Sequence, residues 1–139
     1  MVIQTETLTR KTTGETDIVD LTAAVDDVVA QSKIHKGHVV VFVPGSTAAV
    51  TTIEFESGVV DDLRAAIERM APRDIPYAHN ARWGDGNGYS HVRAALLGPS
   101  LYVPVVDGAL VLGTWQQIVL CDFDNRPRTR RIVVHVTGG

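Results

Sequence analysis

The chain has 139 residues, 45% hydrophobic and 21% charged, with a formal net charge of −3. That balance predicts one compact domain over residues 1–139 with room for a core, and excludes a disordered chain. The slight acidity offers no basic face for nucleic acid, no apolar run reaches the ~20 residues of a membrane span, and a lone Cys121 allows no internal disulfide, so a cytoplasmic protein without a signal peptide is expected.

Val2 to Thr9 alternates and is Thr-rich, the pattern of a half-exposed strand. Leu21, Val25, Val28 and Val29 fall on one helical stripe, which predicts a helix near 20–34 capped by Asp20. His38 to Pro44 is a β-branched run, expected as a central strand buried on both faces, and Ala48 to Phe55 reads as the next strand. Ser57 is expected to cap a second helix over 58–71, in which Val60, Leu63, Ile67 and Met70 share a face. Residues 72–90 carry three Gly and two Pro and read as a long loop with little regular structure, the kind that is more often functional than not. His91 to Leu97 forms a short helix stopped by Gly98-Pro99. Asp107-Gly108 joins Leu101–Val106 to Ala109–Leu112 as a hairpin, and Trp115–Phe123 and Thr129–Val136 are two more strands. An almost wholly β C-terminal half predicts an α+β fold, mostly antiparallel sheet or sandwich with two main helices.

The densest group of chemistry-bearing residues is His79-Asn80, Gly84-Asp-Gly-Asn-Gly88, Ser90-His91 and Arg93. Gly84, Gly86 and Gly88 around Asn87 let backbone amides approach an anion closely; they equally make a flexible surface turn. The spacing fits neither a dinucleotide fingerprint nor a calcium-binding loop, whose twelfth position would be Leu96. His79 and His91 are the candidate metal ligands or acid–base groups, because imidazole binds zinc and titrates near neutral pH. Glu54 and Glu56 share one strand face, while Asp122 and Asp124 read as a solvated edge with the option of completing a metal sphere. Arg126, Arg128, Arg130 and Arg131 are either edge charges that discourage aggregation or an anion-binding rim.

Gly84-Asp-Gly-Asn-Gly88, Ser90-His91, Ala94-Ala-Leu-Leu-Gly-Pro-Ser100, Val103-Pro-Val105, Leu112-Gly-Thr-Trp-Gln116 and Pro127-Arg128 resemble the signature of the YjbQ-like proteins, along nearly the whole chain. The resemblance implies a small antiparallel α+β fold assembled as a homotrimer, with a histidine site near a subunit boundary. It also implies weak thiamine-phosphate synthase activity on phosphorylated small molecules. In that scheme His79, His91 and Glu54 are catalytic, and Arg93, Gly84, Gly86, Asn87, Gly88 and Gln116 hold the phosphorylated substrate. His79 and His91 would bind a divalent metal, zinc or magnesium. Gly45 stands where the family pattern carries a histidine and Tyr89 replaces another, so weaker metal binding is expected, restored by Gly45→His if position 45 does not need a positive φ. The alternative is a non-catalytic trimer that binds a metal or small anion.

Overall fold

In the computed structural model, which describes residues 1–139, the elements run β1 (Val2–Thr12), β2 (Asp17–Asp20), α1 (Thr22–Ser32), β3 (Lys36–Phe42), β4 (Ala48–Ile53), α2 (Ser57–Met70), α3 (Ala78–Trp83), α4 (Gly88–Leu97), β5 (Ser100–Val106), β6 (Ala109–Leu110), β7 (Gln117–Asp122) and β8 (Arg128–Gly138). Every strand pairing is antiparallel. The strands form a five-stranded sheet ordered β1-β8-β3-β5-β6 and a three-stranded sheet ordered β2-β7-β4. This is the expected α+β fold.

Strand alternation explains how the two sheets stack. Val39 and Val41 of β3, Val103 and Val105 of β5, and Ile132, Val134 and Val136 of β8 point inward from the large sheet. They meet Ala48 and Val50 of β4, Ile118 and Leu120 of β7, and the stripe Leu21, Val25, Val28 and Val29 along α1. The opposite face of the small sheet presents Ile18, Ala49, Val119 and Cys121 to Val60 and Ile67 of α2 and Ala94 of α4. The order of layers is therefore α2 and α4, small sheet, large sheet, with α1 packed into the core that the two sheets share. Strand β7 lies between two cores, and its residues Ile118–Asp122 are all buried. Burial pushes the Cys121 thiol up to about 12.

Four expectations are corrected. The strand buried on both faces is β7, not β3: Phe42 is 40% exposed and Tyr102 of neighbouring β5 is 62% exposed, so the outer face of the large sheet is bare. Leu21 occupies the N-cap of α1, while Asp20 serves from one residue outside, its Oδ1 accepting from the Thr22 amide and hydroxyl at 2.9 and 2.6 Å. Glu56 rather than Ser57 caps α2, accepting from the amides of Gly58 and Val59, and those two backbone bonds hold its carboxyl below the usual range. Residues 72–90 are not structureless. Gly84, in the left-handed region, closes α3, and Asn80 Oδ1 accepts from the amide of Gly88 at 2.8 Å, tying the start of α4 back to α3. Glycines in a short segment masked this helical pair. Strand β2, only four residues long, was too short to announce itself by periodicity.

The large sheet closes tightly where β3 and β8 pass. A Cβ on Gly37 would lie 1.9 Å from the Thr137 carbonyl oxygen, a backbone atom that cannot yield without breaking the ladder. Gly37→Ala is therefore expected to lose about 2 kcal/mol or more, lowering the melting temperature by roughly 6 °C. A thermal unfolding curve that superimposes on wild type would refute this packing.

Candidate functional site

Three segments converge at one end of the small sheet: the turn 44–47 between β3 and β4, the α3–α4 loop, and residues 122–131 leading from β7 into β8. Their centre is a buried polar network. Arg130 belongs to the inward set Arg130, Ile132, Val134 and Val136 of β8, so its guanidinium enters the space between the sheets. There Nε donates to Asp122 Oδ2 at 2.7 Å, and Nη2 donates to Asp122 Oδ1 at 2.9 Å and to Thr47 Oγ1 at 2.7 Å. Thr47 in turn donates to Asp124 Oδ2 at 3.2 Å, and Arg128 Nη1 donates to the same oxygen at 3.0 Å. Asn87 Nδ2 donates to Asp124 Oδ1 at 3.3 Å, which joins the glycine loop to the network. Burial alone would raise Asp122, but the hydrogen bonds from Arg130 and Thr12, the Asp124 amide and the Arg130 charge outweigh it and hold the carboxyl below its ordinary value. Asp124 is lowered in the same manner, burial being outweighed by the Asn125 amide, Asn87, Arg128 and Thr47.

His79 on α3 and His91 on α4 are brought together, their ring centroids 4.4 Å apart at an interplanar angle of 39°. Asp85 Oδ1 lies 3.3 Å from His79 Nδ1 but outside hydrogen-bond geometry, so it acts as an electrostatic neighbour. His79 Nδ1, Asn87 Oδ1 and Ser90 Oγ are buried without a protein partner, three polar atoms concentrated in one short stretch. The amides of Asp85, Gly86 and Asn87 donate to no protein acceptor, as an anion nest requires. His91 also lines a groove of about 240 Å³ with Gly45, Ser46, Ala95 and Pro99.

The other expected site residues lie elsewhere. Arg93 is 4% exposed; its guanidinium stacks 4.8 Å from the Tyr89 ring and donates to the Ala71 carbonyl, the Thr16 hydroxyl and Glu68. It holds α2 to α4 and faces no groove. Glu54 lies at the far end of β4, six residues from Ala48, or about 20 Å along an extended strand. Gln116 is at that same far end, donating to Thr52 Oγ1 and accepting from the Gly113 amide. A separate cavity of about 470 Å³ there is lined by Asp20, Glu54, Glu56 and the exposed Trp115.

The donor set does not fit a metal ion within one chain: no three His, Cys, Asp or Glu side chains gather at a common point. Gly45 has φ of +131°, and a Cβ there would meet Arg130 Nη1 at 3.2 Å. Gly45→His therefore strains the turn, so the condition on which it was expected to restore a ligand is not met. Thr47 was missed as a site residue, and Asp122, Asp124 and Arg130, read as solvated edge charges or as part of a metal or anion site, lie instead in one buried hydrogen-bonded network. The signal that marks them is parity: Arg130 falls in step with Ile132, Val134 and Val136.

Similarity to known proteins covers the whole architecture. Residues 6–139 match the family model described as UPF0047 protein YjbQ-like. A UPF0047 protein of Methanothermobacter thermautotrophicus is 41% identical over 138 residues, covering 99% of this chain and 94% of that one. YugU, a UPF0047 protein of Bacillus subtilis, is 32% identical over 134 residues, covering 96% and 98%. The crystal structure of a YbjQ-like protein of unknown function from Sulfolobus solfataricus superimposes with a TM-score of 0.89 at 31% identity, over 99% of this chain and 100% of that one.

The depressed Asp122 carboxyl links stability to pH. Its folded value lies below the ordinary 3.8, so its contribution is complete above that pH and is lost as pH falls through the folded value. Urea unfolding between about pH 5 and 2 is expected to show stability falling with acid, and Asp122→Asn to reduce that slope by up to about 1.4 kcal/mol per pH unit. Equal slopes would place the acid sensitivity in other groups.

Proposed function

This chain belongs to the UPF0047 YjbQ-like family, and on that premise we propose that it is a cytoplasmic, weak transferase of the thiamine-phosphate synthase type. The observation that carries the reading is the His79–His91 pair, packed at 4.4 Å beside a loop with unpaired amides and a groove open at Gly45. In this reaction the ring nitrogen of a thiazole phosphate attacks the methylene carbon of a pyrimidine diphosphate. A C–N bond forms, the C–O bond to the diphosphate breaks, and pyrophosphate leaves with the electron pair. His91 is assigned proton donation to the departing oxygen, His79 packs against its ring with Asp85 as an electrostatic neighbour, and the amides of residues 85–87 face the charge that develops on the leaving group. No step is assigned to a metal ion.

A homotrimer is the second part of the proposal. Trp115, Val103, Val105 and Leu112 are the apolar strand residues expected to be buried between subunits; Val103 and Val105 are in the core, 3% and 1% exposed, Leu112 packs partly against it, and Trp115 is exposed. The outward neighbours of Val103 and Val105, Tyr102 and Val106, together with Phe42, supply the apolar surface instead. In such a trimer Glu54 and Gln116, remote from the histidines within one chain, would reach them from another copy. The non-catalytic alternative draws on the lack of a third metal ligand among the histidines.

Incubation with the two phosphorylated precursors is expected to yield thiamine phosphate, and His91→Ala to lower turnover by roughly 10²–10⁴-fold with little change in KM. Product formation at the wild-type rate in that variant rules out His91, and its absence from wild type leaves the binding module. Light scattering at micromolar concentration is expected to give three times the 15.0 kDa chain mass; a monomer mass ends the trimer reading.

A further inference from the structure

The arginines at the start of β8 are the one positively charged concentration in an acidic chain, and the transferase reading leaves them unused. A cavity of about 340 Å³ opens there, lined by Thr7, Gly45, Arg128, Thr129, Arg130 and Arg131, and no carboxylate is among its lining residues. That volume is within the roughly 300–1,000 Å³ usual for small-molecule sites.

Arg130 is built to serve such a cavity. A guanidinium carries five N–H donors. Nε and Nη2 are committed to Asp122 and Thr47, which fixes the plane of the group, whereas Nη1 donates to nothing in the protein. Nη1 is also the one atom within 4 Å of where a Cβ on Gly45 would stand, at 3.2 Å. The absent side chain at position 45 thus leaves the free edge of a buried, pre-oriented guanidinium uncovered. Arg128 uses only Nη1, on Asp124, and exposed Arg131 makes no ion pair. Asp122 and Asp124 hold the guanidinium groups from behind, and the three cations exceed those two anions by one charge (3 − 2).

We propose that this cavity is an oxyanion site that binds the phosphate of a phosphorylated small molecule through Arg130 Nη1, with Arg131 and Arg128 at its rim. Planar donors with a fixed free edge suit a tetrahedral phosphate, which accepts from several directions at once. The site is contiguous with the histidine groove through Gly45, which lines both. The identity of the organic part rests on the transferase reading; recognition of phosphate does not.

The test is an amide NMR titration with inorganic phosphate, then pyrophosphate, at constant ionic strength. Resonances of Gly45 and residues 128–131 are expected to move together in wild type. Arg131→Glu, at an exposed position, is expected to weaken binding by at least about tenfold while the melting temperature holds. Arg130→Lys is expected to weaken it as well, and Arg131→Glu decides the matter if that variant does not fold. Shifts confined to residues 84–91, or undiminished affinity in folded Arg131→Glu, overturn the site. Phosphate binding is expected to persist in His91→Ala. Phosphate binding without thiamine phosphate formation therefore removes only the transferase reading, and activity without binding at Gly45 and 128–131 removes only this one.

Discussion

The contact on which the rest of the molecule depends is the two-point pairing of Arg130 with Asp122. It joins β8 of the large sheet to β7 of the small one at the end where the sheets would otherwise part. Both partners are almost wholly removed from water, with side chains 5% and 0% exposed. Removing one member of such a pair typically costs about 3–5 kcal/mol, because the other charge is left buried alone. Thr12 and Thr47 supply hydroxyls to the same pair, so the end of β1 and the turn after β3 are registered by it too. Asp124, two residues on, carries that order out to Arg128 and Asn87. The polar network thereby sets the relative positions of the glycine loop, the turn at Gly45 and the arginine cavity.

Much of the fold was legible because the apolar periods are clean. The α1 stripe, the Asp107-Gly108 turn and the β-rich second half all emerge from spacing alone, and Asp107 and Gly108 do take the positive φ values that such a turn needs. What was not legible depends on which layer a strand faces. A β-branched run such as 38–44 has the composition of a doubly buried strand, yet β3 has nothing over its outer face, whereas β7 receives α2 and α4. Local composition cannot say which of two sheets the helices cover.

The site divides along the same line. His79 and His91, twelve positions apart, were recognisable by residue type, and folding of the α3–α4 pair brings their rings into contact. Arg93 and Arg130 take positions that their neighbours in sequence do not suggest. Arg93 stood next to the glycine loop and looked like a ligand contact, but one helical turn carries it inward to the α2 end and the Tyr89 ring. Arg130 stood in a charged run that read either as edge charges or as an anion-binding rim, and strand parity carries it inward with one edge left open to a cavity. Proximity in sequence to glycine and histidine is a weaker guide than the periodicity of the element on which an arginine rides.

The position of Cys121 gives the layered arrangement a kinetic face. Its thiol is fully enclosed between the small sheet and the α2–α4 layer, and burial raises it to about 12, so almost no thiolate exists in the closed state. An alkylating reagent can reach the sulfur only when the helices lift from the sheet, and the bond from Arg93 of α4 to the Thr16 hydroxyl, just before β2, opposes that opening. The rate of thiol labelling in this protein is consequently a clock for detachment of its helical layer, insensitive to fraying of the exposed edge strand β1.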